Sequence, residues 1–305
     1  MIDEIPIPDF GFSDDDLVIS FDSILAASPP LSHLTEVDEA INYFGFHMDY
    51  DQNPLKSTSN SIVYKISTTF SNDEGTPLYA MKATMKKYRI KQEFEKYFKY
   101  IMESPFFVKT YDMFEYNNII LMQMELCEGG DIYSKKLAER DIWQIINNIG
   151  QALHLLHTDG VIHLDVSPSN ILKGDNLYKL SDFGTICEMA DFIEGMEGAG
   201  PYVAPEILNF IPGQKITGKA DIFSFGLVLL EAATGYFAPR GGDINYSKIR
   251  KGEIFIGSRL YDSDGVSQEL VNVINSMIRP DPIERPSAYD LVIESCRIAR
   301  MRQYV

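Results

Sequence analysis

The first fifty-five residues contain no lysine and no arginine, although they hold twelve aspartates and glutamates. The remaining 250 residues carry 27 basic and 32 acidic side chains, so the net charge of −17 resides mostly in an acidic N-terminal stretch. Such a surface repels a phosphodiester backbone, and no nucleic-acid partner is expected. No run of eighteen apolar residues occurs, so no membrane span is expected. The N-terminus lacks the basic segment that opens a secretory signal. Only three cysteines are present, Cys127, Cys187 and Cys296, and no two have metal-ligand spacing. They read as reduced thiols of an intracellular protein rather than a disulfide framework.

What remains is ordinary for a globular chain of 305 residues, with 45% apolar and 23% charged side chains. Residues 1–45 mix an Asp run (Asp14, Asp15, Asp16), the pair Pro29-Pro30 and short apolar patches without sustained period. They are expected to be an acidic, mostly disordered arm. The alternative is a regulatory arm docking through those patches, and Ser28-Pro29 has the form of a proline-directed phosphorylation site. From 46 to 126 short β-like runs occur at 61–69, 77–84, 108–114 and 118–125, interrupted by one charged helical segment at 91–102. After residue 130 the pattern changes to helices. Ile142, Ile145, Ile146, Ile149, Leu153 and Leu156 lie at helical spacing, and Gly160 stops the run. Residues 222–233 are apolar nearly all round, as a fully buried helix would be. Strands succeeded by helices predict an α+β protein of two lobes, the smaller mainly β with one helix and the larger mainly α.

Several short signals occur in a fixed order. YAMK at 79–82 closes a β-like run, and Glu95 lies on the charged helix. VIHLDVSPSN at 161–170 comes after the long helix and holds Asp165 and Asn170 five residues apart. DFG at 182–184 succeeds a short apolar strand, and APE stands at 204–206. Each alone is cheap; together, in order and on matching elements, they are specific. Over about 46–300 the chain resembles the eukaryotic protein kinase family.

The resemblance implies a bilobal fold, ATP and Mg²⁺ as cofactors, and a role for each residue. Lys82 would donate to the α and β phosphates, with Glu95 as its counterion and Glu93 as the alternative. Asp182 and Asn170 would hold Mg²⁺, and Asp165 would orient the substrate hydroxyl and accept its proton. The adenine site corresponds to 124–131. Met124 would be the gatekeeper, the Glu125 carbonyl and the Cys127 amide would meet the adenine edge, and Asp131 would meet the ribose. Leu55, Val63, Ala80 and Leu172 would supply the apolar lining. Glu206 and Arg285 resemble a structural ion pair. Asp221 is expected to bond catalytic-loop backbone, and His163 to pack against Phe183. His154 and His157 read as ordinary helix residues.

Departures from the family pattern are equally specific. KSTSNS at 56–61 stands where a Gly-rich loop should be, and all three glycines are absent. Weaker nucleotide binding is expected, because Gly alone allows the closest backbone approach. Leu164 replaces the Arg that grips a phosphorylated activation segment. That segment, 185–203, offers Thr185 and Tyr202 but no Ser or Thr in its middle. Activation by phosphorylation of the segment is therefore not expected, and Asp191, Glu194 and Glu197 either order it or simply face solvent. Ser167 replaces the catalytic-loop Lys, and Ala199 replaces the Thr that would bond that Lys.

Within the family, HLDV at 163–166 with Pro168 and Asn170-Ile171 is similar to the corresponding loop of Wee-type kinases. So are 239–253, PRGGDINYSKIRKGE, and ELCEGG at 125–130. The Wee-type resemblance implies an enzyme that inhibits a cyclin-dependent kinase by phosphorylating a tyrosine in that kinase's own Gly-rich loop, blocking mitotic entry. It implies a cyclin-dependent kinase–cyclin complex as protein substrate and a monomeric enzyme. Some Wee-type relatives carry a C-terminal membrane span. Residues 302–305 show none, so a nuclear location is expected, with the cytoplasm as a second one. A kinase of another family acting on Ser/Thr, and a pseudokinase scaffold, remain as alternatives. The absent glycines and Ser167 support the latter.

Overall fold

The runs with period two become strands, and the structure shows why each holds its register. The computed structural model describes residues 31–48, 53–58, 61–68, 77–84, 94, 98, 100, 104–196, 200–235, 244–253 and 266–302. The chain divides into two compact units. One ends at Met102 and resumes over Val108–Cys127; the other includes Glu103–Phe107 and the chain from Glu128 onward. The boundary thus falls one residue later than the expected 126/127.

In the N-terminal unit β1 (Phe46–Met48), β2 (Lys56–Ser57), β3 (Ser61–Thr68), β4 (Leu78–Thr84), β5 (Thr110–Tyr116) and β6 (Ile119–Glu125) form one antiparallel sheet. Its order is β1-β3-β4-β6-β5, with β2 also on β3. On β3, Ile62, Tyr64 and Ile66 are buried while Ser61, Val63 and Lys65 are less so, the alternation that the pleat requires. Of the charged helix expected at 91–102, Phe94, Phe98 and Tyr100 are described, and all three are helical.

The expected disordered arm is corrected over its last third. Residues 31–43 form a helix, α1 (Leu31–Tyr43), which Gly45 terminates with φ 79°. Val37, Ala40 and Ile41 enter one apolar cluster with Phe46, Ile62, Tyr64, Ile66, Met81, Ala83, Ile119 and Leu121. Aromatic contacts close its end: Tyr43 meets Tyr116 at 4.9 Å between ring centroids, and Phe44 meets Phe114 at 4.8 Å. The physical reason is periodicity. The upstream Asp and Pro residues favour disorder by composition, but Leu31, Leu34, Val37, Ala40 and Ile41 recur every three to four positions.

In the C-terminal unit α2 (Glu139–Thr158) buries Ile142, Ile145, Ile146, Ile149, Leu153 and Leu156, as expected, and Gly160 comes after it at φ 75°. It packs on α7 (Ala288–Arg302); at Gly150 a Cβ would come within 3.1 Å of Val292, so the helices meet closely there. The all-round apolar segment is α4 (Lys219–Thr234), buried on every side and ended by Gly235 at φ 75°. Three shorter α-helices, α3 (Pro205–Leu208), α5 (Ile244–Arg250) and α6 (Gln268–Met277), belong to the same unit. Two small two-stranded sheets, β8 (Ile171–Lys173) with β9 (Tyr178–Leu180), and β7 (Val161–Ile162) with β10 (Cys187–Glu188), frame the loops that hold Asp165, Asn170 and Asp182. The Glu103–Phe107 stretch joins this unit: the Leu180 amide donates to the Phe106 carbonyl at 2.8 Å.

Candidate active site

The loop between β7 and β8 is built around a buried carboxylate. Asp221, fully buried near the start of α4, accepts from the His163 amide through Oδ2 and the Leu164 amide through Oδ1, both at 2.8 Å. This is the backbone anchor expected of it. Leu164 needs the anchor, because its φ of 65° is costly for a branched side chain, on the order of 1–3 kcal/mol. His157, an ordinary helix residue by sequence, is not one in the structure. Its Nε2 lies 2.8 Å from Asp221 Oδ2 and it supplies the third contact of that carboxylate. Burial alone would raise the Asp221 carboxyl; the bond and charge of His157, then the His163 contacts, outweigh burial and hold it below the usual range. Nothing in the His157 segment signals this, since the pair is 64 residues apart.

On that frame, Asn170 donates Nδ2 to both Asp165 Oδ2 at 2.8 Å and Asp165 O at 2.9 Å. The Asn170 carbonyl in turn accepts from the Ser181 amide at 2.9 Å and the Ser181 hydroxyl at 3.1 Å. Ser181 precedes Asp182, whose φ of 64° is one that Asp tolerates and whose Oδ1 accepts from the Gly184 amide at 3.2 Å. Asp165 and Asn170 are therefore hydrogen-bonded to each other, and Asp182 is tied to Asn170 through the two bonds of its chain neighbour Ser181. With Nδ2 engaged by Asp165, Asn170 can meet a metal only through Oδ1. Asp182 and Asn170 offer hard oxygens suited to Mg²⁺, which ordinarily takes one or two protein oxygens and completes its shell with phosphates and water. Among the described residues no three or more His, Cys, Asp or Glu group as a metal cage. His163 packs beside Phe183, ring centroids 6.0 Å apart and planes tilted by 53°, as expected. Ser167 is buried, with Oγ 3.2 Å from Ser169 Oγ.

In the N-terminal unit the register brings the candidate nucleotide residues onto one face. Val63 and Met122 flank Lys82 across the strands, and Ala80, paired with Met124, lies two residues along. This is the face opposite Met81 and Ala83, and therefore opposite α1. Leu55 is half exposed and donates its amide to the Val63 carbonyl at 2.8 Å. The glycine-free stretch 56–61 joins β2 to β3, where the Thr58 amide bonds the Ser61 carbonyl at 2.9 Å and the Ser61 amide bonds Thr58 Oγ1 at 3.1 Å. Side-chain hydroxyls reinforce this hairpin. Glu125 donates its amide to Lys109 O at 2.8 Å at the end of β6, and Cys127 is buried two residues on.

In the C-terminal unit Asp131 bridges to Leu172, and its Oδ1 accepts from the Tyr133 amide at 3.2 Å. Gly129 has to be glycine: a Cβ would lie 2.7 Å from Lys173 Cβ and from Lys173 O, where the Gly129 amide bonds β8. The anticipated Glu206–Arg285 pair is present, bidentate at 2.6 and 2.9 Å, and Arg285 also donates to three backbone carbonyls. Glu95, its alternative Glu93, Glu197 and Ala199 lie outside the described residues. Asp191 and Glu194 face solvent, and among the contacts described neither orders the segment. That is done by β10 on β7, by Phe192 edge-on to Phe210 at 5.0 Å, and by contacts at 201–203.

Comparison with known proteins agrees with this arrangement. The family model described as protein kinase domain matches residues 59–295. The membrane-associated tyrosine- and threonine-specific cdc2-inhibitory kinase wee-1.3 of Caenorhabditis elegans is 36% identical over 193 residues, 61% of this chain and 27% of that protein. The mitosis inhibitor protein kinase mik1 of Schizosaccharomyces pombe is 31% identical over 219 residues, 66% and 36% of the two chains. The calcium and calcium/calmodulin-dependent serine/threonine-protein kinase DMI-3 of Medicago truncatula is 30% identical over 201 residues, 62% and 38%. The chain spans well under half the length of each of these relatives. No described helix is long and apolar enough to cross a membrane.

Proposed function

The chain belongs to the protein kinase family, and on that premise we propose that it transfers the γ-phosphoryl group of ATP to a cyclin-dependent kinase bound to its cyclin. The acceptor is a tyrosine of that kinase's Gly-rich loop, and the consequence is restraint of mitotic entry. The observation that carries the phosphotransfer reading is the Asp165–Asn170 bond on the Asp221 anchor, with Asp182 tied to Asn170 through Ser181. The choice of substrate rests on the likeness to the cdc2-inhibitory and mitosis-inhibitor kinases and on the 163–171 and 239–253 stretches. We place the enzyme in the nucleus, with the cytoplasm as a second location, and as a monomer.

Mg²⁺ bound with the triphosphate would neutralise charge that develops on the transferring group. Asp182 and Asn170 Oδ1 would hold it. Lys82 would bind the α and β phosphates, with Glu95 as its counterion. Asn170 Nδ2 fixes the Asp165 carboxylate, which takes the proton of the acceptor hydroxyl. Leu55, Val63, Ala80, Glu125, Cys127, Asp131 and Leu172 would hold adenosine. With no loop glycines and no catalytic-loop Lys, turnover is expected below the ~1–100 s⁻¹ usual for kinases. The test is a Mg-ATP assay on a cyclin-dependent kinase–cyclin complex, with Asp165→Asn as control, mass spectrometry of the product and phosphoamino-acid analysis. Phosphotyrosine in the target's loop is the expected product. Phosphoserine or phosphothreonine alone would favour the serine/threonine reading that the DMI-3 likeness supports. Binding of Mg-ATP without transfer above the control, or no binding at millimolar nucleotide, would leave a scaffold.

A further inference from the structure

Residues 200–203 end the 185–203 segment, and side chains from α4 and α5 hold them. Three successive carbonyls are each taken. Pro201 O and Val203 O both accept from Arg250 of α5, the second through Nε at 2.8 Å. Tyr202 O accepts from Ser224 Oγ of α4 at 2.8 Å. The Tyr202 phenol is buried and donates to Glu231 Oε2 of α4 at 2.8 Å, while Glu231 Oε1 accepts from Tyr246 of α5 at 2.5 Å. Burial, then the Glu231 charge, pushes the Tyr202 phenol far above its ordinary range and keeps it a neutral donor. Tyr246 and Arg250 are four residues apart, hence on one face of α5. That face contributes one bond to the buried carboxylate and two to the backbone.

A guanidinium serving two carbonyls two positions apart fixes the dihedrals between them; a charge-assisted donor is about twice as strong as a neutral one. The two hydroxyls that sequence singles out for modification in this segment are both engaged. Tyr202 is bonded to Glu231, and Thr185 Oγ1 donates to His163 O at 2.8 Å. Leu164 is buried and apolar and offers no grip for a phosphate. The end of the segment is thus shaped by α5 and α4 without any modified residue.

We propose that Arg250 and Tyr246 are positioning residues for the protein substrate, holding 200–203 in the working conformation of the unphosphorylated chain. The role rests on the kinase reading proposed for the chain; the physical clamp does not. Neither residue touches the Asp165–Asn170–Asp182 assembly among the contacts described, so loss of the clamp should change the encounter with protein and leave nucleotide chemistry alone.

The experiment uses the full chain after phosphatase treatment, as wild type, Arg250→Ala, Arg250→Lys and Tyr246→Phe. Hydrogen exchange is read by mass spectrometry, beside steady-state kinetics. In Arg250→Ala, which removes two charge-assisted bonds, peptides covering 200–206 should exchange at least about tenfold faster, the factor that one such bond implies, while those covering 222–231 stay unchanged. KM for the protein substrate should rise about tenfold, with KM for ATP and ATP hydrolysis without protein held within about twofold. Arg250→Lys, which keeps one donor, should recover part of both effects, and Tyr246→Phe should show a smaller version. Unchanged exchange at 200–206 would overturn the clamp. Faster exchange with an unchanged protein KM, or a parallel fall in ATP hydrolysis and transfer, would overturn the positioning role. If Arg250→Ala does not unfold cooperatively, Arg250→Lys and Tyr246→Phe carry the same comparison. If wild type transfers no phosphate to any protein, the proposed function fails, and exchange alone decides the clamp.

Discussion

The loop after β7 and the hairpin between β2 and β3 carry the two halves of one expected chemistry, and they are held in different ways. The first hangs on a distant carboxylate: Asp221, itself bonded by His157, fixes its backbone, and within the loop Asn170 fixes Asp165. The second is held by local hydroxyls, Thr58 and Ser61, and by strand register. Behind that register stands α1, on the sheet face opposite Lys82. A loop anchored by a buried carboxylate loses its geometry when one group is removed. A face set by register is lost only when the sheet or the helix behind it fails. The two halves should therefore break differently.

The largest effect should come from the chemistry-bearing residues themselves. Asp165→Asn should lower transfer by about 10²–10⁴, the range for a positioned general base. Asp182→Asn should abolish Mg-dependent transfer. Asparagine suits the test better than alanine, because Asp182 adopts φ 64°, which Asn tolerates and Ala does not. Both proteins should melt close to wild type in calorimetry. Wild-type Mg-dependent activity in Asp182→Asn would sink the metal assignment.

Next comes the helix behind the sheet. Ile41 is fully buried, so Ile41→Ala should cost about 2–5 kcal/mol. Removing residues 1–43 should abolish cooperative unfolding of the N-terminal unit and nucleotide binding with it. Denaturant titration read separately from each unit checks this; the C-terminal unit should hardly respond. An arm dispensable up to residue 40, as composition suggests, would instead leave both transitions intact.

That contrast also separates what is legible in the sequence from what is not. The strands at 61–69 and 77–84 emerge as β3 and β4 within a residue at each end, because alternation on a half-buried sheet is a local property. The run at 108–114 emerges two residues later at both ends, as β5, beside a register shift between Thr110 and Asp112. Asp221 is readable as an anchor because a buried carboxylate must find donors, and Glu206 with Arg285 is readable through the resemblance to the kinase family. His157, Tyr246 and Arg250 are not, since their roles consist of contacts with residues 64, 15 and 47 positions away. The case of α1 is different. Its period is present, but acidic, proline-bearing residues before it mask the signal when the arm is judged by composition.

A smaller effect separates the units by pH. Glu139 accepts from the Ser267 amide at 2.8 Å, its hydroxyl at 2.5 Å, and Trp143 Nε1 at 2.9 Å, and pairs with Arg302. Burial raises its carboxyl; these bonds and the Arg302 charge outweigh that and bring it below its ordinary range. Asp221 is depressed likewise. A carboxylate whose pKa falls on folding adds stability that is present above its unfolded value of about 4 and lost as pH drops through the folded value. The C-terminal unit should therefore lose stability below about pH 4. Glu139→Gln should be less stable at neutral pH and should show a shallower acid limb. An acid limb of unchanged slope in that variant, measured by denaturant midpoints from about pH 3 to 7, would remove Glu139 from the account.

The smallest effect should come from the residue that departs most visibly from the family. Ser167 stands where a Lys is usual, which raises the question of whether its hydroxyl stands in for the cation. The structure gives it another partner, Ser169 Oγ at 3.2 Å, inside a buried turn. What the turn needs from position 167 is its carbonyl, which accepts from the Asn170 amide at 3.0 Å and is kept by any residue. Ser167→Ala should therefore cost about 0.5–1.5 kcal/mol of stability, the net worth of one hydrogen bond. Its effect on single-turnover transfer should be no more than about threefold, far below the roughly 10²–10³ lost when a preorganised donor to developing charge is removed. Mg-ATP affinity should be unchanged, because the groups assigned to the metal are Asp182 and Asn170. Ser167→Lys restores a cation without the hydroxyl partner that Ala199 lacks, so any gain in rate should stay below about 10². A fall of about 10²-fold or more in Ser167→Ala, at unchanged nucleotide affinity, would mean that the hydroxyl itself meets the transferring phosphate. The catalytic loop would then have been rebuilt around Ser167, and the chemistry would no longer rest on Asp165 and the two metal-binding oxygens alone.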